Sequence, residues 1–173
     1  VTVPGSKSES NRLLILKKIY PNIFLHNLSN CDDTIALSRG IEAKNGIVDV
    51  HHAGTAMRFL TGFFASKKDI ELTLTGSKRM QERPIKILVD TLRLIGADIS
   101  YVRNNGYPPL KINGKELVLD SLSIDANISS QYISALMLIA PSLPRGLTIT
   151  LKNKITSVPY IKMTLELLCR IGI

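Results

Sequence analysis

The chain has 173 residues, of which 45% are hydrophobic and 21% are charged, and this composition fits one domain that can bury a hydrophobic core. No apolar run reaches the ~18 to 20 residues that cross a bilayer, and the first residues lack the basic-then-apolar order of a signal peptide, so we expect a cytoplasmic protein with no membrane partner. The net charge of +8, from 22 basic and 14 acidic side chains, predicts attraction for anions.

Two further features narrow the class of anion. Nucleic-acid-binding proteins usually interleave basic and aromatic side chains, but aromatic residues make up 5% of this chain and its lysines and arginines are scattered, so we expect no nucleic acid. Cys31 and Cys169 lie far apart with no Cys-x-x-Cys spacing, which predicts neither a disulfide framework nor a metal site. Composition alone does not choose between an acidic membrane surface and phosphorylated or carboxylated metabolites as the anionic partner.

The predicted elements, taken along the chain, repeat one order of helix, strand and helix. The first copy is predicted at residues 10–19, 23–28 and 32–43. The second is predicted at residues 53–65, 70–76 and 83–97, and the third at residues 129–141, 147–153 and 158–172. Short alternating strands follow the second copy, at residues 97–103, 108–114 and 122–125.

The spacing of ~75 residues between copies divides the one predicted domain into three partial units, roughly 1–50, 51–126 and 127–173. The third unit stops where the second continues into its strands, so we expect the chain to be cut from something longer. The first helix of each unit is apolar almost all round, as at residues 13–16 and 132–139, which predicts a fully buried helix. The fold class indicated is α/β, with buried helices and small mixed sheets.

Each of these buried helices opens with small hydroxyl, amide or glycine residues, at residues 5–12, 54–55 and 127–131. Helix N-termini expose unpaired N–H groups and the positive end of the helix dipole, so they bind phosphate and carboxylate groups. Plain N-capping explains any one cluster, but three clusters favour an anion site if the repeats lie side by side. An ATP-binding P-loop is not expected, because the sequence around Lys7 lacks the glycine spacing of that motif.

Basic side chains accompany these N-termini. Lys7 and Arg12 begin a helix that is too apolar for the surface, so we expect their charges to need an anionic partner. Arg58 follows Thr55 by one turn and lies on the same helix face.

Two more arginines, Arg79 and Arg83, precede Pro84 in a turn from which a guanidinium can grip a carboxylate or phosphate. The alternative is that Glu82 and Asp90 pair with these arginines on a solvated face.

Three histidines carry a weaker signal. His51 and His52 follow a strand and are more typical of a turn that lines a pocket than of a metal site, and His26 is predicted to lie in a strand.

Six segments together resemble one known family: PGSKSESNR, AGTAMR, LTGSKRMQERPI, YPPLKING, SSQYISALM and SVPYIKMTL. In this order, and over essentially the whole chain, they are similar to the signature segments of the 5-enolpyruvylshikimate-3-phosphate synthase family, which is the target of glyphosate. The related UDP-N-acetylglucosamine enolpyruvyl transferases share the repeated architecture but do not carry the first two segments in this form.

The resemblance implies an enzyme of two similar domains, each built from three βαβαββ units with helices inside and mixed sheets outside, and a cleft between them. This chain corresponds to most of one domain, so its partners are a second domain of the same monomeric enzyme and the two substrates, phosphoenolpyruvate and shikimate 3-phosphate. The implied reaction needs no cofactor and no metal. It protonates the phosphoenolpyruvate methylene, adds the shikimate 5-hydroxyl, and loses phosphate from a tetrahedral intermediate.

The resemblance also implies the site residues. Shikimate 3-phosphate is assigned to Lys7, Ser8, Arg12, Ser129, Ser130, Gln131, Ser157 and Tyr160. Phosphoenolpyruvate is assigned to Lys7, Gly54, Thr55, Arg58, Arg83 and Gln131. Lys7, which contacts both substrates, is the catalytic residue of this set.

This chain departs from the family pattern at two positions. His52 stands where the family commonly has Asn, and Phe59 stands where it commonly has Pro. The acidic groups that move protons are expected in the other domain, so we expect the chain alone to bind without turnover. Two alternatives stay open: a phosphate-binding domain without turnover, and a distant RNA-processing relative.

Overall fold

The computed structural model describes residues 3–173 and has an α/β architecture. Its helices are α1 (Lys7–Ile19), α2 (Asp32–Gly40), α3 (Gly54–Ala65), α4 (Lys78–Gln81), α5 (Lys86–Leu94), α6 (Ser130–Ile139) and α7 (Val158–Arg170), with a short 3-10 turn at Ala140–Ser142. Its strands are β1 (Asn45–Asp49), β2 (Glu71–Thr75), β3 (Asp98–Tyr101), β4 (Leu110–Asn113), β5 (Ser121–Asp125) and β6 (Thr148–Lys152). Within the described residues no helix has both the length and the apolarity to span a membrane.

The strands form one mixed and one parallel sheet, which confirms the predicted fold class. The larger sheet has the order β1-β2-β4-β3, with β1 parallel to β2 and with β4 antiparallel to both of its neighbours. The smaller sheet is the parallel pair β5 and β6. A helix connects the strands of each parallel pair, α3 in the first and α6 in the second. The division into three units stays a prediction.

Helix α3 is the centre of the core. All 12 of its residues are buried, as its apolar sequence predicts, because α1, α2, α5 and α6 contact it from different sides. Helix α6 is nearly as enclosed. The same prediction is wrong for α1, where Lys7 and Lys18 are exposed and Leu13 and Leu14 are only half-buried. Only one face of α1 is covered, and its lysines keep the other face in contact with solvent.

The strand predicted at residues 23–28 is also wrong, and His26 is therefore not a strand residue. This segment is irregular and pairs with no other strand in the part of the chain that the structure describes. The Lys17 ammonium donates to the main-chain oxygens of Pro21 and Ile23, and the Phe24 side chain is 84% exposed. A side chain, rather than a neighbouring strand, satisfies these carbonyl groups.

Candidate anion-binding site

Three helices begin around one small cavity. Residues from the first turns of α1, α3 and α6 line about 210 Å³ together with Arg12 and one residue of α7; the lining residues are Lys7, Ser8, Arg12, Thr55, Ser130, Gln131 and Tyr160. All seven are residues that the sequence assigns to the site. The N-termini of α1 and α6 are capped by Ser6 and Ser129, whose hydroxyl oxygens accept from backbone N–H groups. The cavity therefore faces helix ends that favour negative charge.

Arg12 is the buried cation of this site. Its side chain is 3% exposed, and it forms no ion pair with any residue of the described range 3–173. Burial lowers the pKa of Arg12 to about 10, an effect that the nearby Tyr160 side chain partly opposes. The rings of Phe59 and Tyr160 lie 5.4 Å and 6.0 Å from the guanidinium carbon. The Arg12 charge thus lies beside the cavity with no carboxylate paired to it in residues 3–173.

Neutral oxygens hold the Arg12 guanidinium in place. Nε donates to Thr164 Oγ1 at 2.7 Å, and Nη1 donates to the main-chain oxygen of Ser8 at 2.7 Å. Nη2 donates to Ser134 Oγ at 2.9 Å and to the main-chain oxygen of Tyr160 at 3.4 Å. These bonds tie α1 to α6 and α7.

Lys7 differs from Arg12 in both exposure and pairing. Its side chain is 50% exposed, and its Nζ lies 3.8 Å from Asp33 Oδ1 on α2. The expectation that both charges need an anionic partner stays a prediction, since Asp33 lies near Lys7 and no carboxylate pairs with Arg12 in residues 3–173. The separation is long and the Lys7 side chain is half-exposed, so the pair is weak, and Lys7 is free to turn toward a ligand.

A second group of residues surrounds the start of α3. Arg58 is 4% exposed and donates to the main-chain oxygens of Gly54 and Pro84 at 3.1 Å and 3.2 Å. Burial, and then the charge of Arg83, lower the pKa of Arg58. A Cβ added at Gly54 would lie 2.4 Å from Arg83 Nη1. Glycine at this position therefore lets the Arg83 guanidinium lie across the start of α3. The Arg58 side chain links the backbone at Gly54 to the backbone at Pro84.

Arg83 lines a neighbouring cavity of about 550 Å³ with His52, Arg79 and Met80. Asp90, the acidic partner that sequence offered for these arginines, instead pairs with Lys86 and Arg93.

Neither Arg79 nor Arg83 forms an ion pair within residues 3–173, and the same holds for Glu82 and Glu9. The alternative that Glu82 and Asp90 pair with these two arginines is therefore wrong.

Of the two adjacent histidines, His52 lines this second cavity. Their Nδ1 atoms are 2.6 Å apart, and His52 Nε2 lies 3.6 Å from Asp32 Oδ2. No group of three or more potential metal ligands occurs in the described part of the chain.

Two predicted site residues, Ser129 and Ser157, do not line the first cavity. Ser129 is the exposed N-cap of α6. Ser157 precedes α7 in a left-handed conformation, with φ of 53°, which is uncommon for a residue other than glycine. The adjacent Thr156 hydroxyl lies within hydrogen-bonding distance of the main-chain oxygens of Ala126 and Ile128, at 3.3 Å and 3.2 Å, so the two loops are fastened together.

The sequence pattern missed Ser134 and Thr164, the two buried hydroxyls that contact Arg12. Each lies four residues after a cavity residue on the same helix, Ser134 after Ser130 and Thr164 after Tyr160. Residues at this spacing share a helix face. A polar residue four positions after a predicted site residue, in an otherwise apolar helix, was therefore the sequence feature that could have indicated Ser134 and Thr164.

Buried guanidinium groups without acidic partners in residues 3–173, together with three helix N-termini at one cavity, give this α/β fold a positively charged site. Comparison with known proteins identifies the family. The family model for EPSP synthase (3-phosphoshikimate 1-carboxyvinyltransferase) matches residues 26–173, and the chain belongs to this family. The segment that contains Lys7 and Arg12 precedes the matched region.

Individual relatives agree with this assignment. The chain is 48% identical over 173 residues to the 3-phosphoshikimate 1-carboxyvinyltransferase of Bacteroides fragilis strain YCH46, with 99% of this chain and 42% of the relative aligned. It is 38% identical to the enzyme of that name from Shewanella amazonensis, with 100% and 46% aligned. The solved EPSP synthase from Acinetobacter baumannii has the same fold, with a TM-score of 0.76, 22% identity, and 99% and 44% aligned. The chain thus spans less than half the length of these relatives.

Proposed function

We propose that this chain supplies the shikimate 3-phosphate site and part of the phosphoenolpyruvate site of an enolpyruvyl transferase. The reaction transfers the enolpyruvyl group of phosphoenolpyruvate to the 5-hydroxyl of shikimate 3-phosphate, releases phosphate, and serves aromatic amino acid biosynthesis in the cytoplasm. The observation that carries the proposal is the buried Arg12 guanidinium, which faces a cavity at three helix N-termini without an acidic partner in the described residues.

The first cavity supports an anionic ligand of this kind. A phosphate there would meet the charge of Arg12, the hydroxyls of Ser8 and Ser130, and the N–H groups at the start of α6. The Gln131 amide, whose Nε2 donates to Thr55 Oγ1 at 3.3 Å, joins α6 to α3 at the edge where the two substrates would meet. We assign Lys7 to both substrates because its half-exposed ammonium is free to turn.

The second cavity supports a carboxylate or phosphate of phosphoenolpyruvate. Arg83 lies against Gly54 at the border between the two cavities, and Arg79 adds a second positive charge. Arg58 acts in this proposal by holding the backbone at Gly54 and Pro84 rather than by direct contact.

The proposed chemistry needs a proton at the phosphoenolpyruvate methylene, removal of the proton of the 5-hydroxyl, and loss of phosphate from a tetrahedral adduct. The residues that line the first cavity include no carboxylate. We therefore assign charge stabilisation and substrate positioning to this chain, and proton transfer to the second domain of a monomeric enzyme.

Titration of the ¹⁵N-labelled chain with shikimate 3-phosphate, alongside a phosphate-release assay with phosphoenolpyruvate, tests this proposal. We expect saturable shifts at Ser8, Ser130 and Tyr160 and no product. Turnover by the chain alone would contradict the division of labour. Equal affinity for inorganic phosphate and shikimate 3-phosphate would instead favour a general phosphate-binding module, and salt-dependent binding of RNA with no response to shikimate 3-phosphate would favour an RNA-processing relative.

A further inference from the structure

The Arg12 guanidinium is held by a pair of hydroxyls whose proton positions can be deduced. A hydroxyl donates one hydrogen bond and accepts up to two. Thr164 Oγ1 donates to the main-chain oxygen of Tyr160 at 2.8 Å, so its single proton is used there. The contact of 3.0 Å between Ser134 Oγ and Thr164 Oγ1 must then be a bond that Ser134 donates.

The result is a set of hydrogen bonds with one consistent direction, which starts at Arg12 and ends at the Tyr160 carbonyl, an oxygen that Arg12 Nη2 also approaches to 3.4 Å. Arg12 donates to both hydroxyls, Ser134 donates to Thr164, and Thr164 donates to the carbonyl of Tyr160. Thr164 therefore accepts twice and donates once, which uses its full capacity. Both hydroxyls point oxygen lone pairs at the guanidinium, and neither has another donor or acceptor in the described residues.

Neutral acceptors have a consequence that a carboxylate would not have. A buried arginine is usually satisfied by an acidic partner, which cancels its charge. Here Ser134 and Thr164 are themselves fully buried, and they fix the guanidinium while leaving its net charge intact. The charge is then available to a ligand in the cavity, and the planar group does not have to be ordered when the ligand binds.

We infer that Thr164 and Ser134 are positioning residues, which hold Arg12 in its ligand-binding orientation and preserve its positive charge for the anion. This inference rests on the proposed function for the identity of the ligand. Thr164 sets the orientation by accepting from Nε, and Ser134 provides a neutral acceptor at a position where a carboxylate would cancel the Arg12 charge.

The orientation is tested with Thr164→Val and Thr164→Ser in the 173-residue chain, with shikimate 3-phosphate as the titrant. Valine keeps the buried volume and removes the hydroxyl, so we expect affinity to fall about tenfold or more. Serine keeps the hydroxyl and removes a buried methyl group, so we expect affinity within about twofold of the original and a lower melting temperature. A structural role would make affinity follow stability, and that result would overturn the inference, as would unchanged affinity in Thr164→Val.

A matched control is Thr61→Val. Thr61 is fully buried on α3 and donates at 2.7 Å to the carbonyl four residues earlier, as Thr164 does, but it shares no hydrogen bond with Arg12. We expect this variant to leave affinity unchanged.

The charge is tested with Ser134→Asp and Ser134→Asn, which overpack the same position equally and differ in charge. We expect the aspartate variant to bind shikimate 3-phosphate at least about tenfold more weakly than the asparagine variant, because an ion pair cancels the Arg12 charge. Equal affinities would overturn the role of neutrality.

A measurement without ligand keeps the inference separate from the proposed function. Hydrogen exchange at the Arg12 Nε–H, assigned by its loss in Arg12→Met, should accelerate in Thr164→Val and stay slow in Thr164→Ser. Failure of the unsubstituted chain to bind shikimate 3-phosphate would defeat the proposed function alone. Unchanged exchange in Thr164→Val would defeat the positioning role alone.

Discussion

Cationic side chains lie in two contrasting settings in this protein. On the larger sheet, Lys111 pairs with Glu71 and Lys115 pairs with Asp98, both at 3.1 Å and with exposed side chains. At the helix N-termini, Arg12 is buried and faces only neutral oxygens. Exposed pairs contribute little to folding, whereas a buried charge without a counter-ion costs free energy. We therefore propose that in the second setting a ligand, and not stability, accounts for the residues present.

The contrast between the two settings predicts its largest effect for substitution of Arg12. We expect Arg12→Met to weaken the binding of shikimate 3-phosphate by about 10- to 150-fold, since a hydrogen bond to a charged group contributes ~1.5 to 3 kcal/mol. Methionine fills much of the same volume, and Ser134 and Thr164 still bond to each other, so the chain should stay folded. Calorimetry on the folded variant measures the loss.

Two further variants should have smaller effects on the affinity for shikimate 3-phosphate than Arg12→Met. Lys7→Ala should weaken the same ligand by roughly tenfold, because its charge is half-exposed and partly offset by Asp33. Lys111→Met, which removes an equal charge from the sheet, should leave the affinity unchanged and alter the free energy of unfolding by under ~1 kcal/mol. Normal binding by both Arg12→Met and Lys7→Ala would mean that the ligand binds elsewhere.

Gly54→Ala tests the border between the two cavities. The added Cβ would lie 2.4 Å from Arg83 Nη1, so the flexible guanidinium must move while the helix stays intact. We expect phosphoenolpyruvate affinity to fall about tenfold, as for the loss of one charge-assisted bond, with the shikimate 3-phosphate affinity nearly unchanged. Parallel loss of both affinities would indicate a general distortion of α3, and equal affinities before and after would remove Arg83 from the site.

Tyr101, on strand β3 of the larger sheet, carries a buried hydroxyl that we expect to lower stability. Its hydroxyl is buried without a hydrogen-bond partner in the described residues, and burial, followed by the charge of Asp90, raises the pKa of Tyr101. We expect Tyr101→Phe to stabilise the fold by about 1 kcal/mol near neutral pH, because an unsatisfied buried group is removed. Chemical denaturation of both proteins measures this difference.

The pH dependence of that variant has a definite sign. A raised pKa in the folded state means that the protonated phenol favours folding, and this contribution is lost as the pH rises through the raised value. The original chain should therefore lose stability at alkaline pH faster than Tyr101→Phe. A constant difference at all pH values would show that Tyr101 does not titrate differently in the two states.

The smallest expected effect concerns His52, which lines the second cavity with Arg79 and Arg83 and faces Asp32 and His51. His52→Asn removes the imidazole from this cavity and keeps a polar side chain, so we expect the affinity for phosphoenolpyruvate to change by no more than about threefold. A larger change would mean that the imidazole itself contacts the ligand.

The sequence was most informative where the signal is local. Lys7, Thr55 and Gln131 were found because each stands at the start of an apolar helix, and the chemistry of a helix N-terminus depends on adjacent residues. The strand at residues 23–28 was predicted wrongly because a strand also needs a neighbour, which alternation of side chains does not report. The exposed face of α1 was missed for a similar reason, since burial depends on what packs against a helix.

Local sequence patterns could not predict the hydroxyl groups that hold Arg12. Ser134 and Thr164 meet it across 122 and 152 residues of chain, and no local rule connects positions so far apart. The arginine itself was predictable, but the neutrality of its surroundings was not, because the nearest acidic residues in sequence do not approach it in space.

The long sequence separation between Arg12 and its two hydroxyl partners affects both the order of folding and the resistance of the chain to proteolysis. Contacts that close such long loops form late, because closing the loop costs conformational entropy before the contacts can stabilise the chain. The ligand cavity is therefore complete only once residues from both halves of the chain have joined. A ligand that binds there stabilises the whole fold, by ~2.7 kcal/mol at one hundred times its dissociation constant, and should slow proteolysis at loops far from the cavity as well as near it.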